Sequence, residues 1–165
     1  MSGRCLRFGV LSMIALSVLV VSCGAPSGPE TAAQPAAPSE PTHQDFGDYE
    51  VHYNAVRTDL LTPEVARSYG IERSPNRVLL NVSLLKKSSE GRTTPVDGRV
   101  TASAHNLNGQ VKNLVVRRVT EGDSVYFIGE VGITGNEILV FDIDAAPADR
   151  SEAFTVQFKR EFFSD

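Results

Sequence analysis

Beyond residue 46, apolar and polar side chains alternate with a period of two, the pattern of strands with one face buried. Tyr49, Val51, Tyr53 and Ala55 alternate with Glu50, His52 and Asn54, and Val78, Leu80, Val82 and Leu84 alternate with Asn81 and Ser83. Val100, Ala102 and Ala104 continue the pattern, then Val125, Phe127, Gly129 and Val131, then Leu139, Phe141 and Ile143, and finally Phe154, Val156, Phe158 and Phe162. Each strand is expected to have one wet face.

Turn chemistry separates these runs. Asn108 and Gly109 predict a type I′ hairpin turn, and Glu121–Gly122–Asp123 and Gly135–Asn136 predict two more turns, so that strands from Val96 to Ala145 are expected to be antiparallel neighbours. One helix is predicted, with Thr62 as N-cap, Pro63 at its first position, Glu64 in its first turn and Gly70 as its stop. About seven strands with one short helix predict an all-β fold, an antiparallel immunoglobulin-like β-sandwich. The chain has no Trp, so the Cys and Trp pattern of true immunoglobulin domains is absent.

The first 45 residues follow different rules. Arg4 and Arg7 precede an uncharged apolar run from Phe8 to Val21. That run is shorter than the roughly 20 residues that cross a bilayer, and it ends in Val20-Val21-Ser22-Cys23, which looks like a lipobox. Residues 1–22 therefore read as a lipoprotein signal peptide, and Cys23 as the thiol that takes a diacylglyceryl group and becomes the palmitate-bearing first residue. Several acyl chains on one residue would hold the protein on the membrane durably. By resemblance to the sorting rule of Gram-negative lipoproteins, Gly24 rather than Asp after the cysteine implies the outer membrane, with the domain facing the periplasm. From Gly24 to Asp45 the chain is rich in Pro, Ala, Ser and Gly and reads as a disordered tether, followed by one domain over residues 46–165. Cys5 leaves with the signal and Cys23 is acylated, so the folded domain has no thiol for a disulfide or a cysteine-ligated metal.

The chain carries 16 Lys and Arg against 20 Asp and Glu, and loss of Arg4 and Arg7 leaves 14 against 20, a net charge of −6. No cluster of Lys or Arg interrupts it, which argues against nucleic acid and anionic lipid headgroups as partners.

Few residues carry recognisable chemistry. Ser83-Leu84-Leu85-Lys86 fits the S-x-x-K pattern, but residues three apart on a strand point to opposite faces. Asn81-Val82-Ser83 fits a glycosylation acceptor in the wrong context. His43, His52 and His105 are not spaced as metal ligands on one strand or helix face. Asp142 and Asp144 share a strand face, as a cation or acid–base pair would, but charges on an edge strand also discourage edge pairing, the reading preferred here. No cofactor is expected.

The sequence reads as a non-enzymatic binding or scaffold module with an unidentified envelope protein as its partner. The alternative is a small envelope hydrolase or metal-dependent enzyme with a dispersed site. The candidate binding surface is the wet face of the first long strand with the helix beside it: Glu50, His52, Asn54, Arg57 and Arg67.

The run Phe46-Gly47-Asp48-Tyr49-Glu50-Val51-His52-Tyr53-Asn54-Ala55 resembles the opening of an uncharacterised lipoprotein family, the domain of unknown function DUF4426. Leu61 to Gly70, Asn76 to Ser83 and Gly122 to Glu130 extend the likeness over most of the domain. The resemblance implies a gammaproteobacterial lipoprotein and brings with it no catalytic or binding residue.

Overall fold

The computed structural model describes residues 41–163. The expected signal peptide, Cys23 and most of the expected tether lie outside the described residues. The elements follow in chain order as β1 (His43–Phe46), β2 (Tyr49–Arg57), a 3-10 turn (Thr58–Leu60), α1 (Pro63–Tyr69), β3 (Arg77–Lys87), β4 (Thr93–Pro95), β5 (Gly98–Asn106), β6 (Val111–Lys112), β7 (Val115–Glu121), β8 (Ser124–Gly132), β9 (Glu137–Pro147) and β10 (Phe154–Phe162). They form two antiparallel sheets. The larger runs β1-β2-β3-β8-β7 with β4 also paired to β3, and the smaller runs β10-β9-β5-β6.

The alternation read from sequence sets the inward faces. Val51, Tyr53 and Ala55 of β2, the four apolar residues Val78 to Leu84 of β3, and Val125, Phe127 and Val131 of β8 meet Leu139, Phe141, Ile143 and Val156 of the smaller sheet in one buried cluster. Burying each large side chain stabilises the fold by about 1.5–3 kcal/mol. Aromatic rings cross the interlayer: Tyr53 stacks on Phe158 at 4.7 Å and Phe158 on Phe141 at 4.9 Å. The two-sheet β-sandwich is therefore observed, with ten strands among the described residues rather than about seven.

The three extra short strands, and β7, escape a period-two reading for physical reasons. β4 and β6 are only three and two residues long. β7 reads Val115-Val116-Arg117-Arg118-Val119, doublets that mask its two faces. β1 has a single apolar residue, yet it begins at His43, inside the stretch expected to be tether. It is held by antiparallel pairing to β2, by Tyr53 N–H donating to Thr42 O at 2.9 Å, and by Phe46 stacking on Phe154 at 4.5 Å.

Two connections differ from expectation. Gly109 N–H donates to Asn106 O at 2.9 Å and Asn106 N–H to Gln110 O at 3.1 Å, so the turn starts at Asn106 and Gly109 closes it at φ 77°. This is the three-residue hairpin with a left-handed glycine, not the two-residue type I′ turn. The Asn106 side chain selects it: Oδ1 accepts from Asn108 N–H at 3.1 Å and from Gln110 N–H at 2.9 Å. The Gly135–Asn136 turn joins strands of different sheets, so β8 and β9 are not neighbours, whereas Gly122–Asp123 does close the β7–β8 hairpin.

The helix forms as its sequence dictates. Thr62 Oγ1 accepts from Val65 N–H at 3.3 Å, Pro63 opens the helix, and Gly70 ends it in the left-handed region at φ 64°. Seven residues are too few to hold a helix in water, so α1 depends on its packing. It buries Ala66 against Leu79 of β3 and Ile128 of β8, in a second apolar cluster on the outer face of the larger sheet. The expectation that every strand has one wet face fails here, because Val56, Leu79, Tyr126 and Ile128 point outward and are apolar.

Candidate functional site

Strand register arranges the outer face of the larger sheet in rows. Asp45 of β1 lies beside Glu50 of β2, and the next row holds His43, His52 and Ser83. Asn54, Asn81, Ile128 and Arg117 form the row after it, and Val56, Leu79, Glu130 and Val115 the last. The helix α1 covers the Leu79 and Ile128 end of this grid.

Between helix and sheet runs a groove of about 290 Å³, whose walls include Leu61, Val65, Tyr69, Tyr126 and Ile128, with Asn54 and Asn81 on its floor. That volume lies near the lower end of small-ligand sites, and the lining, mostly apolar with a few polar groups, is of the usual kind. One polar group is unmatched: Asn81 Oδ1 is buried and finds no hydrogen-bond donor among the described residues. Such an acceptor costs about 1–3 kcal/mol when left alone.

The far end of the groove is tied down by polar contacts. Tyr69 Oη donates to Glu121 Oε2, and Arg117 Nη2 donates to the Tyr69 carbonyl. The Glu121 hydrogen bond is the main reason that the Tyr69 phenol is pushed up to about 12.

The residues singled out from sequence do not gather in one place. Asn54 lines the groove, where Arg160 of β10 donates to its Oδ1 and, at 2.8 Å, to Ala55 O. Glu50 and His52 lie further along β2, joined through Oε2 and Nε2 at 2.8 Å, with the His43 ring stacked on His52 at 5.1 Å. Lys87 bridges Glu50 at 3.4 Å and Asp45. The His52 hydrogen bond chiefly holds the Glu50 carboxyl below its ordinary value, and the Lys87 hydrogen bond does the same for Asp45. Arg57 turns away to the end of the strand, paired with Asp59 at 2.9 Å and donating to the Phe163 carbonyl. Arg67 is exposed on α1.

Sequence reasoning missed Asn81, Tyr69, Glu121 and Tyr126. The available signal was the apolar character of supposedly wet positions, Val56, Leu79, Tyr126 and Ile128, which marks an outer face that is covered.

The other candidate chemistry resolves into ordinary contacts. Asp142 and Asp144 lie on β9, which is paired on both sides, so they do not protect an edge as expected. They serve cross-strand bonds instead, accepting from Gln157 Nε2 at 2.6 Å and Thr155 Oγ1 at 2.8 Å. His105 Nδ1 lies 3.4 Å from Asp142 Oδ2, on the sheet opposite to His52. Ser83 and Lys86 sit on one strand at the spacing that sends side chains to opposite faces. Among the described residues no group of three or more His, Cys, Asp or Glu side chains is placed to hold a metal ion.

Fold and groove together define a two-sheet antiparallel β-sandwich with a short helix roofing one outer face. The model of the domain of unknown function DUF4426 matches residues 43–165, and the chain belongs to that family. A crystal structure of a DUF4426 protein from Pseudomonas aeruginosa PAO1 is 36% identical, covering 74% of this chain and 94% of that one with a TM-score of 0.63. FetP from uropathogenic Escherichia coli strain F11, as isolated, is 9% identical over 74% of this chain and 93% of its own, with a TM-score of 0.51. A copper-bound variant of FetP gives 10% identity, 74% and 95% coverage and a TM-score of 0.52. At that identity the likeness is one of fold. No curated protein matches the chain.

Proposed function

We propose that the chain is a lipid-anchored binding module of the cell envelope, held in the outer membrane by acyl chains on Cys23 and facing the periplasm. Its groove takes an apolar side chain flanked by an N–H donor, as a segment of an envelope protein would present. The observation that carries this reading is Asn81 Oδ1, a buried acceptor without a donor at the floor of a groove with apolar walls. A ligand N–H that reached it would recover the cost of the lone acceptor, while Tyr69, Tyr126 and Val65 would shield the bond from water. The polar ladder of Glu50 and His52 beside the groove would then meet the partner's rim.

A photo-crosslinking side chain at position 65, in cells producing the full chain, tests the groove. Val65 is 39% exposed, so the replacement is tolerated. A discrete adduct is expected, and Asn81→Leu should reduce its yield roughly tenfold, the equivalent of about 1.4 kcal/mol. An adduct indifferent to Asn81→Leu rules the groove out. Mass spectrometry of the mature N-terminus tests the anchor: an unmodified terminus at Gly24 or later removes the lipid from the proposal.

A further inference from the structure

A second concavity, of about 530 Å³, lies where β5, β7 and the β9–β10 connection meet, and Arg99, Arg118 and Arg150 all line it. These arginines are far apart in sequence, so no cluster of basic residues is visible there; the fold assembles one in a chain whose net charge is −4.

Two nearby acids, Asp97 and Asp149, are already matched. Asp97 accepts from Arg118 Nε and Nη2, both at 2.8 Å, and from Gly98 N–H at 2.8 Å, so one carboxylate neutralises one guanidinium with both of its oxygens. Asp149 takes the Tyr49 hydroxyl at 2.6 Å and Lys86 Nζ at 2.8 Å. Arg99 and Arg150 form no ion pair with a described carboxylate. Arg150 is nonetheless fixed in place: its guanidinium lies 5.1 Å from the Phe154 ring centre and 5.8 Å from that of Tyr49. Stacking occupies the flat face of a guanidinium and leaves its N–H donors free in the plane.

We propose that this cleft binds a phosphoryl anion, a phosphate mono- or diester, between Arg99 and Arg150, with the Ser151 hydroxyl as a further donor. Planar guanidinium forks match phosphate oxygens two at a time, and an excess of two positive charges in one cleft suits a phosphate better than a single carboxylate. The neutralised Asp97–Arg118 pair forms the rim.

The domain from Pro41 onward suits the test, because residues 39–165 form one compact unit with its own buried core. Inorganic phosphate is titrated at low ionic strength by calorimetry, with chloride matching the ionic strength in the control. One saturable site is expected, weakened at least roughly tenfold in the Arg99→Gln/Arg150→Gln double variant and weakened less in Arg150→Lys, which keeps the charge but loses the fork. Thermal unfolding confirms that the variants fold.

Vesicles of phosphatidylglycerol in phosphatidylcholine separate the two sources of phosphate. Binding of both probes, each lost in the double variant, assigns the site to a lipid headgroup. Binding of inorganic phosphate alone assigns it to a soluble phosphate ester. No saturable binding, or binding that the double variant leaves unchanged, overturns the proposal.

Discussion

Asn54 and Asn81 are cross-strand partners on the outer face of the larger sheet, and only Asn54 has a matched side-chain oxygen, supplied by Arg160. Two identical amides side by side thus have opposite standing. Replacing the unmatched one, Asn81→Leu, removes a lone acceptor and adds apolar contact with Leu79 and Ile128. The variant should be more stable by about 1 kcal/mol in urea unfolding. Loss of stability would mean that the Asn81 amide makes bonds that matter to the folded state.

Tyr69 offers a spectroscopic handle on the roof of the groove. Its phenol is raised to about 12 by the hydrogen bond to Glu121. A folded value above the ordinary 10.0 means that the stabilisation is complete below pH 10 and is lost as pH rises through about 12. Tyrosinate absorbance should show a late-ionising phase from Tyr69, absent in Tyr69→Phe and returned toward 10.0 in Glu121→Gln. A titration unaltered by Glu121→Gln would separate the helix from β7.

Acid should loosen the edge strand. Asp45 and Glu50 are both held below their ordinary values of 3.8 and 4.5, by Lys87 and His52 respectively. A depressed folded value gives stability that is present above those ordinary values and fades as pH falls through the folded ones. Protection of the β1 amides from hydrogen exchange, taken against the intrinsic rate at each pH, should therefore fall below about pH 4, and the difference between wild type and Lys87→Gln should shrink over the same range. Equal pH dependence in the two proteins would refute this.

Two glycines without positive φ should respond oppositely to a methyl group. A Cβ at Gly98 would lie 2.3 Å from Ala146 O and 2.7 Å from Leu84 Cδ1, whereas one at Gly132 meets nothing within 4 Å. Gly98→Ala should cost about 1–3 kcal/mol, as overpacking does, and Gly132→Ala should be close to neutral. Thermal unfolding of the two variants decides it, and equal melting temperatures would contradict the close approach of β5 to β9.

The inward faces were legible because burial imposes a strict period on β2, β3, β5, β8, β9 and β10, and the helix because Thr62, Pro63 and Gly70 each do one local job. β1 and the outer face were not. His43 reads as tether chemistry until β2 is beside it, and the apolar outward residues of β2, β3 and β8 make sense only once α1 is laid over them. Of the residues picked for the site, Asn54 alone reached the groove, since alternation tells which way a side chain points but not what its neighbours on the next strand are. Asn81 was set aside as a misplaced sugar acceptor. The arginine cleft was beyond reading, because it joins three segments through tertiary contact alone.

The position of β1 also has a mechanical side. A pull arriving along the chain from its N-terminal side meets the open end of the β1–β2 hairpin, whose first rungs are Thr42 with Tyr53 and His43 with His52. Loaded there, the rungs open in succession instead of sharing the strain, and the four residues of β1 come away as slack of roughly 3.4 Å each. Phe46 would unstack from Phe154 last, and β2 would become the new edge with the core intact. Under such a load the first strand would open before the sandwich does, as a fuse would, because its rungs lie in line with the pull.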